Sequence, residues 1–433
     1  MLTVDDEELA NEISNVWGTT PHVIRNILPE PIFRSSDLFR GLHVTAQAMS
    51  QGAFEPTGRI GINGRDAATQ EIISFFPGPA TQSFEQYEAQ ILQSFPGESF
   101  SIILDKIDVA LPDIRKRVTP FLHKLFGKVG YPAREIHSCI YAGNYKSTPF
   151  GIHMDDCHVL MTAGVGKKSM AFWPRSRFEG QEDLMVPGSQ AHVRSAVSDH
   201  IQDALIIEFG PRDLLYWPAG YWHVGVSTND NFHAALSLGI YHKGSAASIL
   251  RKYFPLPAVV KPNSGLKALD TLDLNGLMLP ESREGMISSI PNNFMRMWED
   301  VKREINGQNK AELAFLSHAL GSRTSAGFGP IAVSGEHALT ADSIISIESA
   351  QSIEWVKLES GQLLVSMHGA IELFDANVEE MERLFDQLKR LEPLVINQIL
   401  RLVPAERHPS LIRLFSSIQI LEQGENKQAD FCI

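Results

Sequence analysis

The sequence predicts a mainly β domain of barrel or sandwich type, followed by a helical segment and a small α+β unit. Short runs of β-forming residues, separated by Gly and Pro, fill residues 135–242. A Pro-rich connection follows, and residues 294–320 then have the apolar spacing of a helix. The last hundred residues begin with strand-like runs and end with amphipathic stretches. We therefore expect domains at 1–245, 246–330 and 331–433.

Several elements are predicted ahead of the β-rich region. Residues 5–17 and 112–129 have helical spacing of their apolar side chains, whereas residues 22–25 and 100–104 are typical of strands. Residues 50–80, rich in Gly and Pro, indicate short strands and loops.

The β-rich region itself contains seven strand-like runs, at 136–142, 159–163, 170–173, 204–209, 214–217, 223–227 and 234–241. A helix is expected at 248–254. In the last domain, strands are predicted at 353–358, 362–367 and 370–374, and helices at 378–391 and 394–402.

Charge and composition exclude several function classes. The formal net charge of −13 repels a phosphate backbone, so direct nucleic-acid binding is disfavoured. No apolar run approaches the roughly 20 residues that span a bilayer, and the acidic start differs from a secretory signal. The three cysteines have no CxxC spacing, so neither a disulfide framework nor a zinc knuckle is expected. We expect a cytoplasmic protein with no membrane segment.

A metal site is predicted where a histidine and a carboxylate lie two residues apart. His153 and Asp155 belong to PFGIHMD at 149–155, and on a strand both side chains would project from one face. His223 follows a predicted strand and a Pro/Gly turn and supplies a third ligand. Two histidines and one carboxylate make the ligand set of non-haem iron oxygenases, which leaves coordination positions open. The pair alone is a weak signal, because about two such pairs are expected by chance in this composition.

The surrounding motifs strengthen this hypothesis, because their order resembles that of the JmjC oxygenases, which are cupin-like. The closest resemblance is to the ribosomal-oxygenase-like branch, and it extends from about residue 17 to residue 241. The motifs that carry it are WGTTPHVIR at 17–25, SFSI at 99–102, HMDD at 153–156, GKKSMAFWP at 166–174, DLLYWPAGYWH at 213–223 and ALSLG at 235–239. The resemblance implies a double-stranded β-helix, or jelly-roll, with Fe(II) held by His153, Asp155 and His223.

The resemblance also implies a set of residues for the co-substrate 2-oxoglutarate. In that family a basic residue fifteen positions after the first metal histidine binds the distal carboxylate, which here is Lys168. A tyrosine twelve positions before the histidine, here Tyr141, adds a hydroxyl. Tyr145 and Thr148 are alternatives for the same hydrogen bond, and Ser237 is expected to support the co-substrate. Lys167 is expected to point outward.

Other residues near the motifs compete for these roles. His158, His233 and His242 lack the strand and turn context of His223, so we treat them as structural. Cys157 follows the metal motif closely, but a cysteine there is more often a small buried residue than a ligand.

By this resemblance, the chain would be a 2-oxoglutarate/Fe(II)-dependent dioxygenase that uses O2 to hydroxylate a side chain of a protein or peptide. The same family order implies a helical dimerisation segment, hence a homodimer, and an acidic winged helix that contacts no DNA. Two other functions stay open: hydroxylation of a small or carrier-bound amino acid, and an inactive JmjC-like binding module. Demethylation would use the same iron, and a zinc or manganese cupin enzyme would leave Lys168 and Tyr141 unexplained.

Overall fold

A computed structural model describes residues 6–52, 57–67, 72–227, 231–245, 249, 252, 273–275, 310–330, 339–347, 349–375 and 377–421. They fall into two compact units. The first draws on residues up to 121 and on 137–240, and the second on 122–136 and on residues from 241 onward. The predicted boundaries at 245 and 330 stay predictions. Most of the helices predicted at 248–254 and 294–320 lies outside the described residues.

The first unit is built on an eight-stranded antiparallel sheet, which we call the major sheet. Its order is β1-β10-β7-β12-β5-β4-β2-β3. The strands are β1 (His22–Ile24), β2 (Thr57–Ile62), β3 (Arg65–Asp66), β4 (Phe100–Asp105), β5 (His137–Gly143), β7 (His158–Val165), β10 (Leu214–Trp217) and β12 (His233–Ile240).

A four-stranded antiparallel sheet, the minor sheet, completes the β structure of this unit. Its order is β6-β11-β8-β9. The strands are β6 (His153–Met154), β8 (Lys168–Trp173), β9 (Leu205–Phe209) and β11 (Trp222–Val226). The ring of Phe172, on the minor sheet, lies 5.4 Å from that of Trp217, on the major sheet. The inner faces of the two sheets therefore meet, and the prediction of a mainly β domain is confirmed.

The structure contains both of the helices that the apolar spacing predicts ahead of the β-rich region and two that were not predicted. The predicted helices are observed at Asp6–Val16 and Pro112–Val129, the second with the predicted bounds. Two further helices, Ser35–Ser50 and Phe84–Ser94, were not predicted. Asp37, buried in helix Ser35–Ser50, accepts two hydrogen bonds of 2.8 Å from Arg117 and so ties that helix to Pro112–Val129.

The second unit contains a small α+β arrangement near its carboxyl end. Three strands, β16 (Ile353–Lys357), β17 (Leu363–Met367) and β18 (Ala370–Phe374), form an antiparallel sheet in the predicted order. Its core is shared with helices Val378–Lys389, Ile396–Leu400 and His408–Leu421. The predicted helix at 394–402 is shorter, because Leu394 and Val395 pair instead with strand β15 (Ile344–Ile345). The last helix was not predicted.

Strands β13 (Lys243–Ser245) and β14 (Asp273–Asn275) form a separate antiparallel pair, and helix Lys310–Thr324 belongs to the second unit. Among the described residues, no helix is both long and apolar enough to cross a membrane.

Candidate metal centre

The three predicted metal ligands come together between neighbouring strands of the minor sheet. His153 begins β6 and pairs in register with His223 on β11. Asp155 follows β6 by one residue, and its backbone carbonyl accepts a hydrogen bond of 2.9 Å from the amide of Gly220. That bond holds the turn before β11 against the carboxylate, so all three side chains point into one space.

The ligand atoms lie at distances that suit one shared ion. The Asp155 Oδ2 atom lies 3.4 Å from His223 Nε2 and 3.9 Å from His153 Nε2. All three ligand atoms lie within 4.8 Å of one another. An imidazole nitrogen or carboxylate oxygen binds a divalent ion at about 2.0–2.2 Å, so atoms this far apart can share one centre.

The expected strand geometry was wrong in detail. Period two along a strand would place His153 and Asp155 on one face, but β6 contains only His153 and Met154. Its ladder to β11 ends there, because the Asp155 carbonyl bonds to the Gly220 turn rather than to a strand partner. The carboxylate therefore approaches the histidines from a turn, with its side chain 43% exposed.

The backbone sets the tautomer of both histidines. His153 Nδ1 lies 3.0 Å from the carbonyl of Gly151, and His223 Nδ1 lies 3.1 Å from the carbonyl of Tyr221. A neutral ring that donates its Nδ1 proton to a carbonyl leaves the Nε2 lone pair free for a metal. In both cases the carbonyl belongs to the residue two positions earlier, so both rings are oriented by the same local hydrogen bond.

The protonation states suit metal binding at neutral pH. Burial, with the nearby His223, lowers the pKa of His153 to about 4. Burial acts to raise the pKa of Asp155, but the hydrogen bond and charge of His223 outweigh it and lower that pKa to about 2. One anion and one neutral imidazole are therefore already deprotonated, as ligation requires.

Lys168 lies on the inner face of the minor sheet and is only 2% exposed. Its ammonium donates a hydrogen bond of 2.5 Å to the Tyr145 hydroxyl, and among the described residues it forms no ion pair with a carboxylate. Burial lowers the pKa of Lys168 to about 7. Lys167, one position earlier, points outward to Glu208 at 2.9 Å. A buried cation without an anion is costly, so this space suits an anionic ligand.

Of the two tyrosines that the resemblance offers for the co-substrate carboxylate, Tyr145 is the one whose hydroxyl bonds Lys168, and which hydroxyl binds the co-substrate stays a prediction. Tyr141 offers its ring, whose centroid lies 5.2 Å from Lys168 Nζ, while Tyr145 offers its hydroxyl. The difference arises at Gly143, which ends β5 with a φ of 143°. A Cβ at Gly143 would lie 2.1 Å from the Phe100 carbonyl oxygen, so only glycine permits this departure of the chain toward Tyr145.

Thr148 and Ser237 prove to be differently placed. Thr148 is buried beside Lys168: a Cβ built on Gly225 would lie 2.9 Å from the Thr148 methyl group and 3.4 Å from Lys168 Cε. Its Oγ1 has no hydrogen-bond partner within the described part of the chain. Ser237 instead faces Cys139 across the β12–β5 ladder. Its expected support of the co-substrate stays a prediction.

Two histidines near the site were not recognised from sequence. His233, treated as structural, packs its ring 4.6 Å from that of Tyr145. Burial and then the charge of Lys168 lower the pKa of His233 to about 3, and its Nε2 has no hydrogen-bond partner among the described residues. His192 stacks on His153, with ring centroids 5.8 Å apart. Only the position of His233 at the start of the last strand signalled its role.

His158 and His242 stay structural in this reading. His158 Nδ1 lies 2.9 Å from the Tyr216 hydroxyl, and its ring stacks on Trp17 at 4.2 Å. His242 belongs to the second unit, and Cys157 is buried against Gly239.

The residues present fit both groups that the resemblance implies. Two imidazoles and a carboxylate are the donor set of non-haem Fe(II) sites. The buried ammonium of Lys168 and the unpartnered Oγ1 of Thr148 offer a charge and a hydrogen bond to a carboxylate.

Comparison with known proteins agrees with this geometry. Residues 128–246 match the JmjC domain family. Two curated relatives, both named bifunctional lysine-specific demethylase and histidyl-hydroxylase NO66, come from Drosophila pseudoobscura pseudoobscura and Drosophila persimilis. Each is 25% identical over 147 residues, which cover 33% of this chain but only 15% and 20% of the relatives.

Similar solved structures include the ribosomal oxygenase YcfD from Escherichia coli, in complexes with cobalt and 2-oxoglutarate and with cobalt and succinic acid. Their TM-scores are 0.48 and 0.47, their identities 13% and 12%, and each match covers 97% of both chains. The predicted resemblance to the JmjC domain is thus confirmed by the family match over residues 128–246.

Proposed function

We propose that this chain is an Fe(II)- and 2-oxoglutarate-dependent oxygenase that hydroxylates a side chain of a protein or peptide. The observation that carries the proposal is the pairing of two kinds of site on the minor sheet. His153, Asp155 and His223 make a three-ligand metal centre, and Lys168 makes a buried cationic space on the inner face of the same sheet. A hydrolytic or isomerising metal centre would leave the buried Lys168 without a purpose.

The groups that the chain would bind supply the oxidising chemistry: together with O2, Fe(II) and 2-oxoglutarate oxidise an unactivated C–H bond. The chain's own residues bind and orient. His153 and His223 present Nε2, and Asp155 adds one negative charge. Lys168 and Tyr145 hold the distal carboxylate, and Thr148 donates its hydroxyl proton to the same group.

The neutral state of His233 follows from this arrangement. A second cation beside Lys168 would be costly in a buried space, and the low pKa of His233 keeps its ring uncharged. His233 therefore shapes the co-substrate site without adding to its charge, and its ring packs on Tyr145 and fixes the position of that hydroxyl.

A protein or peptide substrate is supported by the names of the curated relatives, which describe histidyl hydroxylation and lysine demethylation. Hydroxylation and demethylation share the first oxidation and differ in whether the oxidised carbon is attached to nitrogen. We favour hydroxylation, because it is the activity of the ribosomal-oxygenase-like branch that the sequence motifs resemble. The alternatives, a small or carrier-bound amino acid as substrate and an inactive binding module, become outcomes of the experiments.

Finer features of this proposal concern the second unit and the location of the protein. We infer a winged-helix-like carboxyl-terminal domain from the three-stranded sheet packed with helices. Its acidic residues, Glu372, Asp375, Glu379, Glu380 and Glu382, support contact with a basic partner rather than with DNA. A homodimer and a cytoplasmic location belong to the same proposal.

The first experiment measures succinate formed from 2-oxoglutarate by the full chain loaded anaerobically with Fe(II) and then given O2. Turnover should occur at a basal rate and vanish in His223→Ala. The matched control His43→Ala, on helix Ser35–Ser50, should keep that rate. Basal turnover unchanged in His223→Ala would contradict the assignment of the metal ligands.

A binding measurement distinguishes the possible functions if no basal turnover is observed. Isothermal titration of the full chain with 2-oxoglutarate, in the presence of Mn²⁺ in place of Fe(II), should show one site whose affinity falls at least tenfold in Lys168→Ala. Binding without turnover would support an oxygenase that waits for its substrate, and a peptide screen would follow. If the chain bound neither the metal nor 2-oxoglutarate, the result would favour the binding-module function instead.

A further inference from the structure

A second cluster of metal-ligating side chains lies on the inner face of the major sheet. Asp105 ends β4 and stands opposite Cys139 on β5 in the strand register. His137 lies two residues before Cys139, so period two places both side chains on the same face. Tyr141, two residues further along, has its ring near Lys168, which identifies this face as the inner one.

The three ligand atoms stand at the separations of a tetrahedral site. Cys139 Sγ lies 3.1 Å from Asp105 Oδ1 and 3.4 Å from His137 Nε2, and His137 Nε2 lies 3.4 Å from Asp105 Oδ1. With bonds of about 2.3 Å to sulfur and about 2.0–2.2 Å to nitrogen and oxygen, tetrahedral zinc separates its ligand atoms by roughly 3.4–3.6 Å. Shifts of a few tenths of an ångström would close the set.

The neighbours of the cluster support a ligand role for these atoms. The second carboxylate oxygen of Asp105, Oδ2, is 3.3 Å from Arg59 Nε, so this bond orients the carboxylate and leaves Oδ1 for the cluster. An outer contact of this kind commonly fixes a metal ligand in place. The His137 side chain is 41% exposed, which gives an ion a route from solvent to the buried sulfur.

We propose that Cys139, His137 and Asp105 form a second metal site, for a thiophilic divalent cation of the zinc class. Cys139 Sγ, His137 Nε2 and Asp105 Oδ1 are its ligands, and a fourth position is left for water or a substrate group. On binding, the Cys139 thiol loses its proton to solvent and its sulfur bonds the metal in place of the hydrogen bond to Asp105. No oxidant or reductant is needed.

The site is chemically distinct from the His153, Asp155 and His223 centre because it contains a thiolate. A sulfur ligand favours zinc or copper(I), whereas the all-nitrogen-and-oxygen centre suits Fe(II). The inference stands on its own residues and holds whether or not the chain is an oxygenase. Tyr141 lies between this cluster and Lys168, because it follows Cys139 by two residues on the same face of β5 and its ring lies beside Lys168.

The test is titration of the full, metal-free chain with Co²⁺ under reducing, anaerobic conditions, followed by absorption spectroscopy. Only a thiolate ligand gives an intense near-ultraviolet sulfur-to-cobalt charge-transfer band. We expect two equivalents of Co²⁺ in the wild type, with that band. Cys139→Ser should lose the band and one equivalent, and Asp155→Ala should lose the other equivalent and keep the band.

Two variants guard the interpretation. Cys157→Ser, which changes the other described buried cysteine, should keep the band. His137→Ala removes a half-exposed ligand, so it should fold and lose at least tenfold in affinity at the thiolate site even if Cys139→Ser fails to fold. A wild-type chain without the band, or a band unchanged in both Cys139→Ser and His137→Ala, would overturn the proposal.

Discussion

The metal centre and the Lys168 site solve opposite electrostatic problems within one unit of the protein. At the metal centre the charge of Asp155 is stabilised by His223, and the carboxylate stays partly exposed. At Lys168 an ammonium is buried with a hydroxyl as its hydrogen-bond partner. The negative charge at the metal centre is therefore stabilised before any molecule binds, whereas the positive charge of Lys168 is neutralised only when an anionic ligand binds.

This difference shows where binding energy is held in the molecule. Replacing one of the metal-binding side chains abolishes a bond to the metal but leaves no buried charge without a partner. Changing Lys168 removes a charge that burial disfavours, so the ligand-free protein should become more stable while ligand affinity falls. The predictions below test this contrast.

The largest effect is expected for Asp155→Ala. Loss of the only anionic ligand should empty the iron site and lower turnover by about a thousandfold or more, since a metal supplies several kcal/mol of transition-state stabilisation. Iron content and succinate formation are the measurements. Asp156→Ala, which removes the neighbouring exposed carboxylate, is the matched control and should keep both. Full iron occupancy in Asp155→Ala would show that the ligand assignment is wrong.

The next effect is expected for Lys168→Ala. Loss of a charge-assisted contact worth about 1.5–3 kcal/mol should raise the Kd for 2-oxoglutarate by roughly 10- to 150-fold. Metal binding should be unchanged. Lys167→Ala, one residue earlier and ion-paired with Glu208 at the surface, should leave the Kd unaltered. An equal loss of 2-oxoglutarate affinity in the two variants would show that Lys168 is not the specific contact of the co-substrate.

A smaller effect concerns stability against pH in the ligand-free protein. Burial lowers the pKa of Lys168 to about 7, whereas in the unfolded chain it returns to its ordinary value of 10.5. Between these values the unfolded state binds more protons, so the free energy of unfolding should rise with pH, by at most about 1.4 kcal/mol per unit. Below pH 7 both states are protonated and this dependence ends.

Urea unfolding from pH 7 to pH 9 measures this slope. Lys168→Met should flatten it and raise stability at pH 7. Saturating 2-oxoglutarate with Mn²⁺ should also flatten it, because the bound carboxylate keeps Lys168 protonated in the folded state. A wild-type slope that survives in Lys168→Met would assign the dependence to other groups.

The smallest effect separates the two tyrosines. Tyr145→Phe removes a neutral hydroxyl that contacts Lys168 and should raise the Kd for 2-oxoglutarate by about 2- to 12-fold, equivalent to roughly 0.5–1.5 kcal/mol. Tyr141→Phe keeps the ring beside Lys168 and should change that Kd by less than twofold. The reverse ranking would restore Tyr141 as the hydroxyl donor.

Much of the β fold could be predicted because alternation and Gly/Pro punctuation are local signals. Strand β10 and helix Pro112–Val129 have the predicted bounds. Helices Ser35–Ser50, Phe84–Ser94 and His408–Leu421 were missed, since their apolar spacing was not recognised between clearer elements. Their placement depends on packing against the sheets, which one sequence does not display.

The candidate site shows the same limit at finer scale. The spacing of His153 and Asp155 is a local property of the chain, so it could be read directly, whereas Lys168 was implied by the family resemblance. The hydrogen bond of Lys168 to Tyr145 rather than to Tyr141 depends on how the chain leaves β5 at Gly143, where it passes against the Phe100 carbonyl. The cluster of Asp105 and Cys139 arises only from the register between β4 and β5.

The paired bonds from His153 and His223 to the carbonyls two residues before them carry an evolutionary consequence. A metal-binding histidine donates its other ring N–H to a carboxylate, a backbone carbonyl or water, and where the partner is a side chain, that residue must be inherited together with the ligand. Here the peptide chain itself is the partner, and every amino acid supplies a carbonyl. Neighbouring positions can therefore drift without disturbing which nitrogen faces the metal, which suits a domain that is only 25% identical to its curated relatives.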